Sequence, residues 1–295
     1  MMKEKTVYAL GFFDGVHLGH QALLQACHTL SQTLGATPGV VTFDGHPQTL
    51  TQGAPPVLIN AGQDRYRLLE EQGAQRIVCL PFDDGLMHMP WQAFFRMLTE
   101  EYAAAGLVCG EDFRFGYRGE GTAEKLSQAC REAGIACRVI PEQTCRGIRV
   151  SSTHIRQLLE QGKMEEACCF LGHPHVLTAQ VVPGKQLGRT LGVPTANLQL
   201  PPGVVCPGRG VYACKAKADG QMYLALTNVG TRPTVSGDGI TLEVWLLDFA
   251  GDLYGKEITV EFYAFLRPEQ KFSSLAELQA EILKNAQQTR KILQK

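Results

Sequence analysis

The strongest constraint on the fold is a regular alternation of short apolar segments with amphipathic ones through the first half of the chain. Strands are predicted at Val7–Leu10, Gly39–Phe43, Arg76–Leu80, Leu107–Cys109 and Ala136–Ile140, and helices at Gln21–Leu34, Gln63–Gln72, Trp91–Ala104 and Ala123–Ala133. Short apolar strands that alternate with helices indicate a parallel sheet covered on both faces. Ligands of such sheets bind beyond the carboxyl ends of the strands.

The pattern changes after Leu171, where helical periodicity gives way to short strands and turns. Strands are predicted at Leu177–Val182, Gly210–Lys217, Met222–Asn228, Ile240–Leu247 and Glu257–Phe265. They predict an antiparallel domain that closes into a small β-barrel. A final helix from Ser273 to Ile292 should pack on the barrel through an apolar stripe of Leu275, Leu278, Ile282, Ala286, Thr289 and Leu293. We therefore expect one domain over residues 1–172 and a second over 173–295.

Composition excludes several classes of protein. The formal net charge of -1 gives no reason to expect a nucleic-acid partner. No apolar stretch approaches the roughly 20 residues that span a bilayer, and the first residues do not resemble a signal peptide, so a cytoplasmic protein without a membrane partner is expected. The ten cysteines contain no C-x-x-C pair, and we interpret them as small buried hydrophobic residues.

A candidate phosphate site follows the first strand. His17 and His20 flank Gly19 where that strand turns into a helix. Free N–H groups and the positive end of the helix dipole can hold a phosphate there, and the imidazoles can donate further hydrogen bonds. The alternative is that the two histidines only cap the helix.

A second predicted helix start, this one rich in hydroxyl groups, lies at Ser151-Ser152-Thr153, with Arg156 one turn further on. Hydroxyls can cap the helix and contact a triphosphate, and a guanidinium can neutralise charge as pyrophosphate leaves. The alternative is a plain N-cap with a surface arginine.

Aromatic residues accompany a charged pair in Asp112-Phe113-Arg114-Phe115, after the fourth predicted strand. Such rings can stack on a flat ligand. The alternative is that Phe113 and Phe115 are core residues and that Asp112 and Arg114 form a surface pair.

The barrel half contains a glycine-rich segment from Gly184 to Asn197. Gly184, Gly188 and Gly192 allow the backbone to bend around phosphates, and Thr195 and Asn197 offer oxygen ligands to Mg²⁺. The alternative is a glycine-rich hairpin loop. Further on, Glu243 alternates with Leu242 and Val244 in a predicted strand, so its carboxylate faces away from the core; the alternative is a solvated strand carboxylate.

These motifs, in this order, resemble the bacterial bifunctional riboflavin kinase/FAD synthetase family over nearly the whole chain. The residues of the first half that carry the resemblance are G-F-F-D-G-V-H-L-G-H-Q from Gly11, T-F-D-G-H-P from Thr42, G-E-D-F-R-F-G from Gly110 and V-S-S-T-H-I-R from Val150. In the second half they are G-K-Q-L-G-R-T-L-G-V-P-T-A-N from Gly184, N-V-G-T-R-P-T from Asn228, L-E-V-W-L-L-D from Leu242 and L-R-P-E-Q-K-F from Leu266.

The resemblance implies a Rossmann-like nucleotidyltransferase domain followed by a riboflavin kinase barrel. Riboflavin would be phosphorylated by ATP with Mg²⁺, and the FMN formed would be adenylylated by a second ATP to FAD and pyrophosphate. The implied catalytic residues are Glu243, as base, and His17, His20 and Arg156. The implied ATP-binding residues are Gly11, Phe12, Asp14, Gly19, Ser151, Ser152, Thr153, Gly184, Lys185, Gly188, Arg189 and Gly192, and the implied flavin-binding residues are His46, Pro47, Asp112, Phe113, Phe115 and Arg267, of which Arg267 could instead pin the final helix.

Two departures keep other interpretations open. Gly45 stands where the family commonly has proline, and Asn285 where an acid is usual. One alternative is a kinase whose first domain has lost or altered its adenylylation; another is a flavin-binding protein without catalysis. No obligatory protein partner is implied.

Overall fold

The chain divides into two compact units. A computed structural model describes residues 4–45, 57–60, 62–184, 188, 192–234 and 237–294. The first unit comprises Met1–Val57 and Arg65–Ser152, and the second comprises Leu58–Asp64 and Thr153–Lys295. The domain boundary expected at residue 172 stays a prediction, whereas the compact units change over at Ser152.

The first unit is built on a parallel sheet. Its strands are β1 (Thr6–Leu10), β2 (Thr37–Phe43), β3 (Arg76–Leu80), β4 (Ala104–Gly110), β5 (Arg114–Phe115), β6 (Gly121–Thr122), β7 (Ala136–Ile140), β8 (Thr144–Cys145) and β9 (Ile148–Arg149). Five of them form the sheet β3-β2-β1-β4-β7, and β5-β6 and β8-β9 are two small hairpins. All sheet pairings are parallel and β1 is buried along its whole length. The predicted doubly covered parallel sheet is confirmed.

The helices of this half are α1 (Leu18–Leu34), α2 (Gly62–Glu71), α3 (Asp84–Met87), α4 (Trp91–Arg96) and α5 (Ala123–Glu132). The helix predicted over Trp91–Ala104 is confirmed from Trp91 to Glu101, but its predicted end is wrong. α4 ends at Arg96, a π-helical turn covers Met97–Glu101, and Ala104 already begins β4. The sheet overrides local helical pattern here, because Ala104 pairs with Thr6 of the central strand.

The second unit is a closed antiparallel barrel with helices. It contains α6 (Ser152–Glu160, of which Ser152 belongs to the first unit), α7 (Met164–Leu171), β10 (His175–Val182), β11 (Ala196–Leu198), β12 (Gly210–Ala218), β13 (Gln221–Thr234), β14 (Gly237–Leu246), β15 (Glu257–Arg267) and α8 (Leu275–Leu293). The barrel order is β10-β11-β14-β13-β12-β15, which confirms the predicted barrel. The sequence did not predict β11, because three residues after a glycine-rich loop are too short a run to recognise as a strand.

α8 packs on the barrel as predicted, except at its start. Ala286 joins Val211 and Leu226 in an apolar cluster, and Thr289 is fully buried. Leu275, however, is 55% exposed, so its place in the predicted stripe is wrong. The apolar cluster on the barrel begins only at Ile282, and the first turn of the helix lies beyond it.

The cysteines are free thiols within the described part of the chain. Cys27, Cys109, Cys130 and Cys214 are buried as expected. Cys79, on the edge strand β3, is exposed, which contradicts the expectation for that residue. Within the described ranges, no helix combines the length and apolarity that crossing a bilayer requires.

His175, at the start of β10, is fully buried, and neither ring nitrogen has a hydrogen-bond partner among the described residues. Burial, with a smaller contribution from His173, lowers the pKa of His175 to about 3. In the unfolded chain the imidazole regains its ordinary pKa, near 6.5. In the folded barrel the His175 ring therefore stays deprotonated at pH values where the same ring in the unfolded chain binds a proton.

Stability of the barrel should consequently fall between pH 6.5 and pH 3. At pH 5 the free energy of unfolding should be lower by about 2 kcal/mol because of this residue. We expect His175→Leu to remove this loss of stability at pH 5. The measurement is urea unfolding at pH 7 and at pH 5, followed by the fluorescence of Trp245 in a Trp91→Phe background. His88→Gln, at a half-exposed histidine of the first unit, is the control. An unchanged pH dependence in His175→Leu would contradict this.

Candidate functional site

The loop between β1 and α1 is strained. Phe13 has a φ of 61° and Val16 a φ of 39°, while Gly15, at 78°, adopts its conformation without penalty. A β-branched residue with positive φ is a real outlier, and such backbone persists only where its surroundings hold it. Full burial of the Phe13 ring is one of those restraints.

Side chains from neighbouring segments bond to carbonyl groups of this loop. Gln21 Nε2 donates to the Val16 carbonyl at 2.9 Å, and Ser152 Oγ donates to the Asp14 carbonyl at 3.0 Å. The hydroxyl proton of Ser152, predicted to contact ATP, is therefore used within the protein. Ser152 acts first as a brace for the loop.

His17 and His20 are brought together on the first turn of α1. His17 caps the helix, since its Nδ1 accepts the His20 backbone N–H at 3.3 Å. The two rings stack at 3.7 Å between centroids with 9° between their planes. The interpretation of these residues as caps thus holds for His17, and it leaves the ring of His20 available for another role.

The His20 ring is held neutral. Burial, followed by the neighbouring His17 and Arg65, lowers its pKa well below the ordinary value. Its Nδ1 is buried and has no hydrogen-bond partner among the described residues. Buried polar atoms normally have hydrogen-bond partners, so this nitrogen is a candidate contact for a ligand.

A cavity of about 290 Å³ opens at this point. It collects residues predicted to bind ATP or to act in catalysis, namely Gly11, His17, Gly19, His20, Ser151 and Ser152, together with Asp112 and Phe113, which were predicted to bind flavin. Five other residues that were predicted for the ATP and flavin sites of the first domain do not line this cavity: Phe12, Asp14, Thr153, Arg156 and Phe115. Thr153 and Arg156 belong to the second unit, where Arg156 Nη2 donates to Thr153 Oγ1 at 3.2 Å.

Phe115 has a packing role. It is 6% exposed and lies in the core, stacked on Phe113 at 5.4 Å between centroids. Its ring does not reach the cavity, so the core interpretation describes Phe115 and the ligand interpretation is retained only for Phe113.

Arg149 also lines the cavity, and the sequence did not single it out. Its Nη2 lies 2.7 Å from Asp112 Oδ2 and 2.5 Å from Glu142 Oε1. The ion-pair partner of Asp112 is thus Arg149 and not Arg114. Because Arg149 and Asp112 are 37 positions apart in the sequence, no local pattern could have revealed this ion pair.

In the second unit, Glu243 lies on the outer face of the barrel. Leu242 and Val244 point inward and are buried, as the alternation predicted. Glu243 and Trp245 line a cavity of about 330 Å³, whose other wall includes Leu278 and Ile282 of α8. The carboxylate therefore faces a partly apolar cavity and not the barrel core.

Polar residues flank Glu243 on both sides. In the strand register, Glu243 stands opposite Asn197 of β11 and opposite Asn228 of β13. Directly opposed residues project to the same face of a sheet. Asn228 lines the same cavity as Glu243, and the sequence had given it no role.

Thr195 connects two cavities. It lines the cavity that contains Glu243, and it also lines a second cavity of about 340 Å³ together with Asn197 and Tyr254. Of the two residues predicted as Mg²⁺ ligands, Thr195 therefore lines both cavities and Asn197 lines the second one.

The predicted glycines pack against these residues. A Cβ at Gly184 would overlap the side-chain amide of Asn197, and one at Gly188 would overlap the Val193 carbonyl and come within 3.3 Å of Thr195 Oγ1. Gly192 has a φ of 69°. Four predicted residues lie outside the described residues: His46, Pro47, Lys185 and Arg189.

Arg267 pins the final helix and lines the cavity as well. Its Nε donates to Asn285 Oδ1 of α8 at 3.0 Å, and Glu281 lies 3.7 Å away. Asn285 in turn donates to Glu281 at 3.2 Å. An acid at position 285 could not make this last bond, so the departure at Asn285 is accommodated by an amide that bridges a cation and a carboxylate.

Comparisons with known proteins agree with this arrangement. The family model described as FAD synthetase matches residues 1–154, and the one described as riboflavin kinase matches residues 171–293. A solved structure from Streptococcus pneumoniae, described as a macrolide-efflux protein, superposes with a TM-score of 0.89 at 30% identity, covering 98% of this chain and 95% of that one. That similarity confirms the fold. The efflux function in its description applies to the Streptococcus protein and is not transferred to this chain.

Curated relatives cover both halves together. The bifunctional riboflavin kinase/FMN adenylyltransferase of Escherichia coli is 39% identical, covering 96% of this chain and 91% of that protein. The enzyme of the same name from Listeria monocytogenes is 32% identical with the same coverage. The chain belongs to the bifunctional riboflavin kinase/FMN adenylyltransferase family.

Proposed function

We propose that the barrel unit phosphorylates riboflavin with ATP to give FMN and ADP, and that the first unit adenylylates FMN with ATP to give FAD and pyrophosphate. The observation that carries this proposal is the position of Thr195, which lines both barrel cavities while Glu243 faces one of them. Phosphoryl transfer needs an acceptor and a donor pocket that meet at one point.

In the kinase reaction the flavin occupies the cavity between the barrel and α8. Trp245, Phe272, Leu278 and Ile282 supply apolar and aromatic surface for its ring system. Glu243 accepts the proton of the ribityl terminal hydroxyl as that oxygen attacks the γ-phosphorus of ATP. The ATP phosphates approach from the cavity that Thr195 and Asn197 line.

Mg²⁺ fits the donors present. Thr195 and Asn197 are neutral oxygen donors, and Gly184 leaves room beside Asn197 that a side chain would fill. Within the described residues, no group of three or more His, Cys, Asp or Glu could hold a metal by itself. Such a site suits an ion that arrives with the nucleotide, as Mg²⁺ does when it keeps phosphate and water ligands. When bound, it would neutralise phosphate charge.

In the adenylylation reaction the FMN phosphate is itself the nucleophile, so no base is required. It attacks the α-phosphorus of ATP, the bond to the β-phosphate breaks, and pyrophosphate leaves. The neutral His20 ring and the backbone N–H groups at the start of α1 donate to the oxygens on which charge develops.

Gly45 does not favour loss of adenylylation. Its backbone is outside the positive-φ region, and an added Cβ would meet Phe82 at an ordinary 3.5 Å. The preceding residue holds the turn, because Asp44 Oδ1 accepts the Phe82 N–H at 2.9 Å. The turn has its own restraint in place of proline, which supports a bifunctional enzyme over a kinase alone.

Two substitutions should separate the reactions. We expect Glu243→Gln to lower FMN formation from riboflavin at least about 100-fold, because the proton acceptor is lost.

We expect His20→Ala to lower FAD formation from supplied FMN at least about 100-fold, because a donor to the transition state is lost. Flavins are resolved by chromatography over time.

Each variant contains its own folding control. The reaction that the substitution does not affect should stay within about twofold of the rate of the parent chain. Loss of both reactions in either variant, with the fold intact by circular dichroism, would contradict separate sites.

Gly184→Ala tests the position of Asn197. The new Cβ would displace the Asn197 amide, so we expect FMN formation to fall about tenfold or more while FAD formation from FMN is retained. Gly220→Ala is the control for a strained alanine in the same unit: Gly220 has a positive φ, of 81°, but an added Cβ there meets nothing within 4 Å and leaves Asn197 in place. Equal activities of the two variants would refute the assignment of Asn197.

A further inference from the structure

Arg65 is a buried arginine that joins the ends of two sheet strands. Only 3% of it is exposed. Its Nη1 donates to the Phe12 carbonyl at 3.2 Å and its Nη2 donates to the Phe43 carbonyl at 2.8 Å. Phe12 lies just after β1 and Phe43 is the last residue of β2, so one guanidinium joins these two carbonyl groups at the carboxyl edge of the sheet.

The Phe12 carbonyl has a second donor. Thr42 Oγ1 bonds to it at 3.0 Å, so a hydroxyl and a guanidinium together fix the orientation of this peptide group. The next residue is Phe13, where φ becomes positive and the strained segment toward His17 begins. Arg65 and Thr42 therefore hold the point from which the strained loop departs.

The charge of Arg65 is not neutralised by a carboxylate among the described residues. Its Nε is buried without a hydrogen-bond partner there, and its guanidinium carbon lies 4.5 Å from the centre of the Phe12 ring. A buried charge without a counter-ion is costly, and two carbonyls could be joined by a neutral donor at lower cost. The cation is also close enough to His20 to lower its pKa.

We propose that Arg65 is a positioning residue for adenylyl transfer: it clamps Phe12, just after β1, to Phe43, at the end of β2, and keeps a fixed positive charge beside His20, to be balanced by the charge that develops on the reacting phosphate in the transition state. This inference rests on the proposed adenylylation in the first unit. Thr42 shares the clamping role but carries no charge.

The test compares Arg65→Met with Arg65→Lys in the full chain. We expect Arg65→Met to lower kcat for FAD formation from FMN about 100-fold, with the KM for ATP changed less than about threefold, because misplacement affects the transition state most. Arg65→Lys retains the charge and donors, so it should recover about tenfold of that loss. Riboflavin kinase activity should be unchanged in both.

Arg67→Met is the matched control on the same helix, since Arg67 is partly exposed and lies 3.7 Å from Glu71. If Arg65→Met fails to fold, Thr42→Val decides, because it removes one donor to the same carbonyl at constant volume; FAD formation should then fall at least about fivefold. Full FAD formation in Arg65→Met, or in Thr42→Val if Arg65→Met does not fold, would overturn the inference. Absence of FAD formation in the parent chain would instead refute the proposed function.

Discussion

The strained turn that leads from β1 into α1 is the constraint on which the first unit depends. Positive φ at Phe13 and Val16 brings His17 to the N-cap position and stacks it on His20. Gln21 and Ser152, which both belong to the first unit, donate to the loop carbonyls. Arg65 and Thr42 hold the peptide group just before them. Backbone strain is thus offset by hydrogen bonds from several elements.

The barrel achieves its geometry by regular pairing. Antiparallel register places Asn197, Glu243 and Asn228 in one row across three strands. Alternation along β14 then buries Leu242 and leaves Glu243 facing the cavity under α8. In the first unit the candidate cavity lies at the ends of the parallel strands, whereas in the barrel the candidate cavity lies on a face of the sheet.

Much of this was predictable, because periodicity of two or 3.6 residues follows directly from strand and helix geometry. Alternation placed Glu243, and the strand-to-helix turn placed His17 and His20. Long-range contacts were not predictable: nothing near Arg149 in sequence indicates Asp112, and nothing near Arg65 indicates the Phe12 carbonyl. The core position of Phe115 and the π turn after α4 likewise depend on packing.

The most direct test of two successive flavin-modifying sites is a time course. The purified chain is incubated with riboflavin, ATP and MgCl₂, and riboflavin, FMN and FAD are resolved by chromatography. FMN should appear first and FAD should follow as FMN accumulates. FMN without FAD, even when FMN is supplied directly, would contradict the assignment of adenylylation to the first unit, and no product at all would contradict catalysis by either unit.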